Sequence, residues 1–269
     1  MGGGSRLLKE ESMQKLVRLS SLALFAAFAS VSSAVVLVDR GLPNQSLNNA
    51  AGANRSNVAW GDSDGWFTGD DFTLPGAAPA YSITGIRTWL VTLDDYNASP
   101  QKGFSELVSS LTLWLGPSGA SNDVAATGYS FTATRVTYDG STTYQGSGGA
   151  LRSLWQIDWN TTGLVLAGGA KYNFGVSGLR TDGSTTIFNH ASNAALGGVP
   201  ADGADNLFKG WKPDGTFDYS WDSGAPGGGW DKSSDINVVV TGVPVPEPAT
   251  IALGLGGLAT AALRRRNRR

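Results

Sequence analysis

The stretch "LRSLWQIDW", Leu151 to Trp159, decides the fold class. At a period of two it sets Trp155, Ile157 and Trp159 against Leu154, Gln156 and Asp158. Successive side chains of a strand point to opposite faces, so this alternation writes one apolar face and one mixed face. Working outward, the same period returns in "VVLVD" (35–39), "SITGIRTWLVTL" (82–93), "LVSSLTLWLG" (107–116), "YSFTATRVTY" (129–138), "KYNFGVSGLR" (171–180) and "DINVVVTG" (235–242). Leu111, Leu113 and Leu115 share a face opposite Thr112 and Trp114, and Ile236, Val238 and Val240 align in the same way.

Between these runs lie turn clusters, "DGST" at 139–142 and again at 182–185, and "GSGG" at 146–149. No long segment with a 3.6-residue period appears outside the two termini. Seven or more strands over about 200 residues predict one all-β domain, an antiparallel β-sandwich of jelly-roll type. Composition agrees. Glycine is abundant at 37 of 269 residues, cysteine is absent, and charged residues make up 16% against about 25% in ordinary soluble domains. Hydrophobic content of 41% suffices for a packed core.

Charge excludes one class of function. Residues 35–248 carry eleven basic and twenty acidic groups, a net of about −9 that repels nucleic acid. Catalysis finds little support. His190 is the only histidine, there is no cysteine nucleophile and no Gly-x-Ser-x-Gly element, and residues 35–248 have glutamate only at Glu106 and Glu247. The expectation is a protein that is not an enzyme, with a secreted hydrolase as third reading.

Two clusters offer binding chemistry. "WGDSDGWFTGDD" gathers Asp62, Asp64, Asp70 and Asp71 within ten residues, and Asp62-Ser-Asp64-Gly65 copies part of a calcium loop. A structural Ca²⁺ is one reading; ordinary turn residues between strands is the other, since no Glu stands at the twelfth position of an EF-hand loop. Of the nine tryptophans, Trp89, Trp114, Trp155 and Trp159 fall in strands and are expected in the core. Trp60, Trp66, Trp211, Trp221 and Trp230 fall in turn-rich stretches. There they serve either as lids over the sandwich ends or as stacking platforms for a sugar ring.

The two ends read as addresses. From Met13, Lys15 and Arg18 precede the apolar run Leu19–Val31, and Ser32 and Ala34 occupy the small positions before a cleavage site. That is a secretory signal peptide over residues 1–34, cut after Ala34 and delivered to the Sec translocon; residues before Met13 point to a start assigned too early. The exported domain spans 35–242. Residues 243–269 follow as a third segment, in which Ala249–Leu263 is an uncharged run of 15 residues. As a helix that run covers about 22 Å, short for a hydrocarbon core of about 30 Å, so it reads as a short transmembrane helix that holds the membrane only transiently. Arg264, Arg265, Arg266, Arg268 and Arg269 would keep the end cytoplasmic.

Pro246-Glu247-Pro248, the short apolar run and the arginine cluster together resemble the PEP-CTERM sorting signal of Gram-negative bacteria. The resemblance implies processing by an exosortase, a membrane cysteine protease–transpeptidase, and a destination at the cell surface or in the extracellular matrix, in an exopolysaccharide or biofilm setting. "GDDFTLPGAAPAYSITGIRTWLV" (69–91) is similar to the early strands of jelly-roll bodies in other PEP-CTERM proteins. On this reading the body is structural or adhesive, with a carbohydrate-binding module as the alternative.

Overall fold

The structure is a computed structural model that describes residues 33–42, 55–60, 65–137, 144–145, 151–184, 187–192, 207–222 and 235–246. Residues 55–60, 144–145, 187, 192, 207 and 219–222 are described at the level of the backbone only. The chain divides into Met1–Ser33 and Ala34–Arg269, and every element below belongs to the second unit.

In chain order the strands are β1 (Val35–Arg40), β2 (Arg55–Trp60), β3 (Phe67–Thr73), β4 (Ala80–Asp95), β5 (Val108–Pro117), β6 (Ala125–Ala126), β7 (Phe131–Arg135) and β8 (Tyr144–Gln145). They continue with β9 (Leu151–Trp159), β10 (Leu164–Ala167), β11 (Lys171–Arg180), β12 (Ile187–Ser192), β13 (Leu207–Trp211), β14 (Phe217–Asp222), β15 (Asp235–Ile236) and β16 (Val238–Val245). One helical turn, α1 (Phe104–Leu107), interrupts them. Every described pairing is antiparallel, in one sheet of ten strands and one of six.

β4 is the spine of the larger sheet. Its 16 residues are flanked on one side by β10 and then β9, and on the other by β16 and then β12. The smaller sheet runs β14-β13-β3-β11-β5-β6. Inward residues of both sheets meet in one core: Ile83, Leu90, Trp155, Ile157, Val238 and Val240 from the larger, Phe72, Leu113, Phe174 and Val176 from the smaller. Each fully buried side chain of this kind contributes about 1.5–3 kcal/mol by leaving water. The chain is an antiparallel β-sandwich.

The alternation of "LRSLWQIDW" holds at side-chain level. Trp155, Ile157 and Trp159 face the core, while Leu154 packs on the outer face with Trp89 and Val91. "KYNFGVSGLR" is strand β11 from end to end. "DINVVVTG" is broken once, at Asn237, whose N–H donates to the His190 carbonyl (3.0 Å), yet Ile236, Val238 and Val240 all point inward. "YSFTATRVTY" contributes only Phe131–Arg135 as ladder. At "DGST" (182–185) Gly183 has a φ of +85°, and the Asp182 carboxylate accepts from Ser184 N–H (3.0 Å), the chemistry of a tight turn. The other "DGST" and the "GSGG" cluster lie outside the described residues, as do the signal segment before Ser33 and the apolar run after Pro246. Among the described residues no helix is long and apolar enough to cross a membrane.

Candidate functional site

The C-terminal motif begins where the sandwich ends. β16 stays paired to β4 to its last residue, through Val243↔Ser82, Pro244↔Tyr81 and Val245↔Ala80. Proline lacks a donor and is confined in a sheet to places where no ladder hydrogen bond is needed from it. Pro244 and Pro246 thus bring the strand to a close, and Pro246 is exposed immediately beyond it. Glu247, Pro248 and the five arginines from Arg264 to Arg269 lie outside the described residues. At the start of the domain's chain Ala34 is exposed, one residue before β1 begins.

The acidic stretch "FTGDD" is not a loop. It lies within β3, and Asp70 and Asp71 are buried side chains of a central strand. This corrects the reading of these two as calcium ligands in a turn. Asp70 faces inward, 3.4 Å from the Arg40 guanidinium, which sits equally far from Asp235. Asp70 also accepts from the N–H of Ile236 (2.8 Å) and of Asp71 (2.7 Å). Asp71 points the other way, to Lys171 (2.8 Å) and Lys209, and Lys209 donates to Asn173 (2.8 Å). Arg40 links the two halves by donating to the Asp71 carbonyl. Three cations thus meet three carboxylates. Burial pushes the Asp70 carboxyl well above the usual carboxylate range; the Arg40 guanidinium pulls it down, and the Asp235 and Asp71 charges push with burial. Asp62 and Asp64 lie outside the described residues, and among the described residues no group of three or more acidic or histidine side chains is placed to hold a metal.

His190 belongs to the same interior. It is wholly buried, and its Nδ1 lies 2.7 Å from Asn237 Oδ1. The Asn237 amide nitrogen donates to the carbonyls of Arg40 and Gly41, so its oxygen faces the ring and His190 Nδ1 carries the proton. The lone histidine therefore ties β12 to the chain around β1.

The turn-region tryptophans part company. Trp211 is a correction: it lies in β13, fully buried, with Nε1 donating to the Asn122 carbonyl (2.9 Å). A ring with no exposed face cannot stack on a sugar. Phe67 lies between Trp211 (5.8 Å between centroids) and Trp114 (4.6 Å), and Phe217 meets Trp211 edge-on. This stack sits on the outer face of the smaller sheet beside Val124. Gly175 lies beneath it; a Cβ there would come within 2.8 Å of the Phe67 ring. Trp60 and Trp221 are strand residues of β2 and β14 whose side chains are not described, and Trp230 lies outside the described residues.

Of the two whose side chains are described, Trp66 is placed at an opening. It is half-buried and lines a cleft of about 250 Å³ with Gly65, Ser110, Thr112, Ser177, Gly178 and Leu179. Thr112 and Ser177 stand directly opposite each other on β5 and β11. Trp114 Nε1 donates to Ser177 Oγ (2.8 Å), which leaves that hydroxyl's own proton to point elsewhere. An indole, three hydroxyls and no charged side chain line the space. Sequence reasoning named Trp66 but missed the hydroxyls, because Ser110, Thr112 and Ser177 read only as the polar face of ordinary strands.

Residues 244–269 match the family described as the PEP-CTERM protein-sorting motif. No curated protein and no solved structure matches the chain.

Proposed function

We propose that this is a non-catalytic structural or adhesive protein of the cell surface or extracellular matrix, released to that site when an exosortase removes its tail. The PEP-CTERM motif indicates exosortase-dependent sorting of an exported protein, and it is the single observation that carries the reading. The body fits a passive role: an antiparallel β-sandwich whose lone histidine and most buried carboxylates are spent on internal bonds. Export runs through the Sec translocon, with the inner membrane holding the tail only until processing.

Mass spectrometry of the C-terminal peptide from surface and medium fractions tests the sorting. The expected result is a terminus near Pro246–Pro248 with the arginines gone; Arg269 retained on protein in a membrane fraction would mean a plain anchor. The adhesive role predicts that deleting the gene weakens cell–cell or cell–surface attachment while export of other proteins continues.

A second reading rests on the Trp66 cleft. Uncharged hydroxyls beside an indole suit a neutral sugar, whose C–H face packs on the ring while its hydroxyls exchange hydrogen bonds with Ser110, Thr112 and Ser177. On this reading the body is held in the matrix by exopolysaccharide. Trp66→Ala should then lower retention on the cell's own polysaccharide roughly tenfold, the equivalent of about 1.4 kcal/mol. Unchanged retention would discard the cleft and leave the sorting role standing.

A further inference from the structure

Among the described residues, one end of the larger sheet carries no charge. Residues 35–38, 74–86, 159–170 and 236–246 contain no Asp, Glu, Lys or Arg. Pairing brings them together: Val35 lies opposite Gly242, Ala80 lies between Val245 and Ala167, and Gly168 N–H donates to the Pro79 carbonyl (2.9 Å). Gly76, Ala77 and Pro79 are exposed there, as are Val35, Val36 and Val165. The two cations that directly adjoin these segments in sequence, Lys171 and Arg87, are paired with Asp71 at 2.8 Å and Asp158 at 2.6 Å. The other end of the same strands is densely charged, with Asp94 and Asp95 at the end of β4, Arg152 at the start of β9 and Arg135 in β7.

The tail leaves from the uncharged end with almost no slack. Three residues, Pro246-Glu247-Pro248, and so four Cα-to-Cα steps, separate Val245, still paired to Ala80, from Ala249, the first of the 15 uncharged residues read as membrane-inserted. Fully extended they span about 14 Å. The headgroup layer takes about 5–7 Å of that. The remaining gap is thinner than the spacing of about 10 Å between two packed sheets.

We infer that this uncharged end of the larger sheet is the face the sandwich presses on the bilayer while the tail is attached. The occupant is a phospholipid surface, and the inference rests on the sorting reading above. Charge distribution explains the choice of end. A body of about −9 brought within a Debye length of about 8 Å of an anionic leaflet is repelled unless its charges are kept at the far side. An uncharged rim has no ions to strip of water on contact, and the exposed valines and prolines tolerate the interface.

The chain has no cysteine, so single probes can be installed in the full-length protein. Four variants, Ala77→Cys, Val165→Cys, Ala98→Cys and Ala259→Cys, would each carry a fluorophore after reconstitution into phosphatidylethanolamine–phosphatidylglycerol vesicles with nitroxide-bearing headgroups. Ala98 lies just beyond β4, at the charged end. Quenching at Ala77 and Val165, with Ala98 at the level of an aqueous control, is expected. An inserted tail, reported by quenching at Ala259, with Ala77 and Val165 as bright as Ala98, would overturn the inference and leave sorting intact. An unquenched Ala259 would remove the membrane stage itself, and this inference with it.

Discussion

Two regions of the sandwich are joined by opposite means. Around Arg40, three carboxylates are buried with Arg40 and Lys209, and a partly exposed Lys171 reaches in to Asp71, where β1, β3, β11, β13 and β15 converge. Residues 74–86 and 159–170, the chain around Gly168, carry no charge, and two turns press backbone against backbone: a Cβ on Gly168 would lie 1.9 Å from the Ala78 carbonyl oxygen. The first region is held by long-range attraction among groups that are costly to bury. The second is held by shape, with ladder and turn hydrogen bonds at ordinary lengths. One region therefore answers to charge and pH, and the other to volume.

The largest effect expected is at Arg40. Arg40→Met leaves Asp70 and Asp235 buried without their shared cation and should lower stability by about 3–5 kcal/mol, read as a shift of the urea midpoint. A loss no larger than a surface substitution would mean that the cluster is not the fastener it looks like. Gly168→Ala comes next, at about 1–3 kcal/mol, because the new methyl meets a carbonyl that is itself fixed by neighbouring bonds. If the variant melts with the wild type, the two turns are not in close register.

Asp70→Asn separates charge from shape. The folded-state pKa of Asp70 is raised, so its contribution is fully present below the ordinary carboxylate range and is lost as pH rises through the raised value. The asparagine variant has no such loss. Its melting temperature, followed from pH 4 upward, should therefore fall less, or rise more, than that of the wild type. Parallel curves would contradict the burial argument. The smallest effect belongs to Val165→Thr at the uncharged end: with the side chain 57% exposed, stability should move by no more than about 0.5 kcal/mol. A larger change by thermal melting would mean that Val165 already packs on something in the isolated protein.

What the sequence made legible follows from how each strand is covered. β5, β9, β11 and β16 keep a visible period of two because their inward faces are apolar. β3 hides. Phe67 to Phe72 are buried on both faces, so alternation vanishes, and its glycine and paired aspartates imitate turn chemistry. Trp211 was misread for a related reason. The residue accepting its N–H bond, Asn122, lies 89 positions away, and no local pattern announces that the chain near 122–124 returns over the outer face of the sheet. The sorting motif was fully legible because it is linear, a run of consecutive residues that needs no fold to be recognised in the sequence. The Trp66 cleft was half legible: aromatic rings advertise themselves in a sequence, whereas three hydroxyls converge only through the register of β5 with β11.

The place of β16 has a consequence for the order of events in export. The last strand lies inside the larger sheet, between β1 and β4, and among the described residues β1 pairs with nothing else. Its partners precede it by about 150 to 200 residues. In a chain delivered N-terminus first, the opening strand must wait with unpaired edges for the closing one, and such long-range pairing is slow. The sheet closes only when the residues just ahead of the sorting motif have emerged. Folding and presentation of the tail therefore finish together, and a chain that stalls before Val238 has neither a closed sheet nor a signal to be cut.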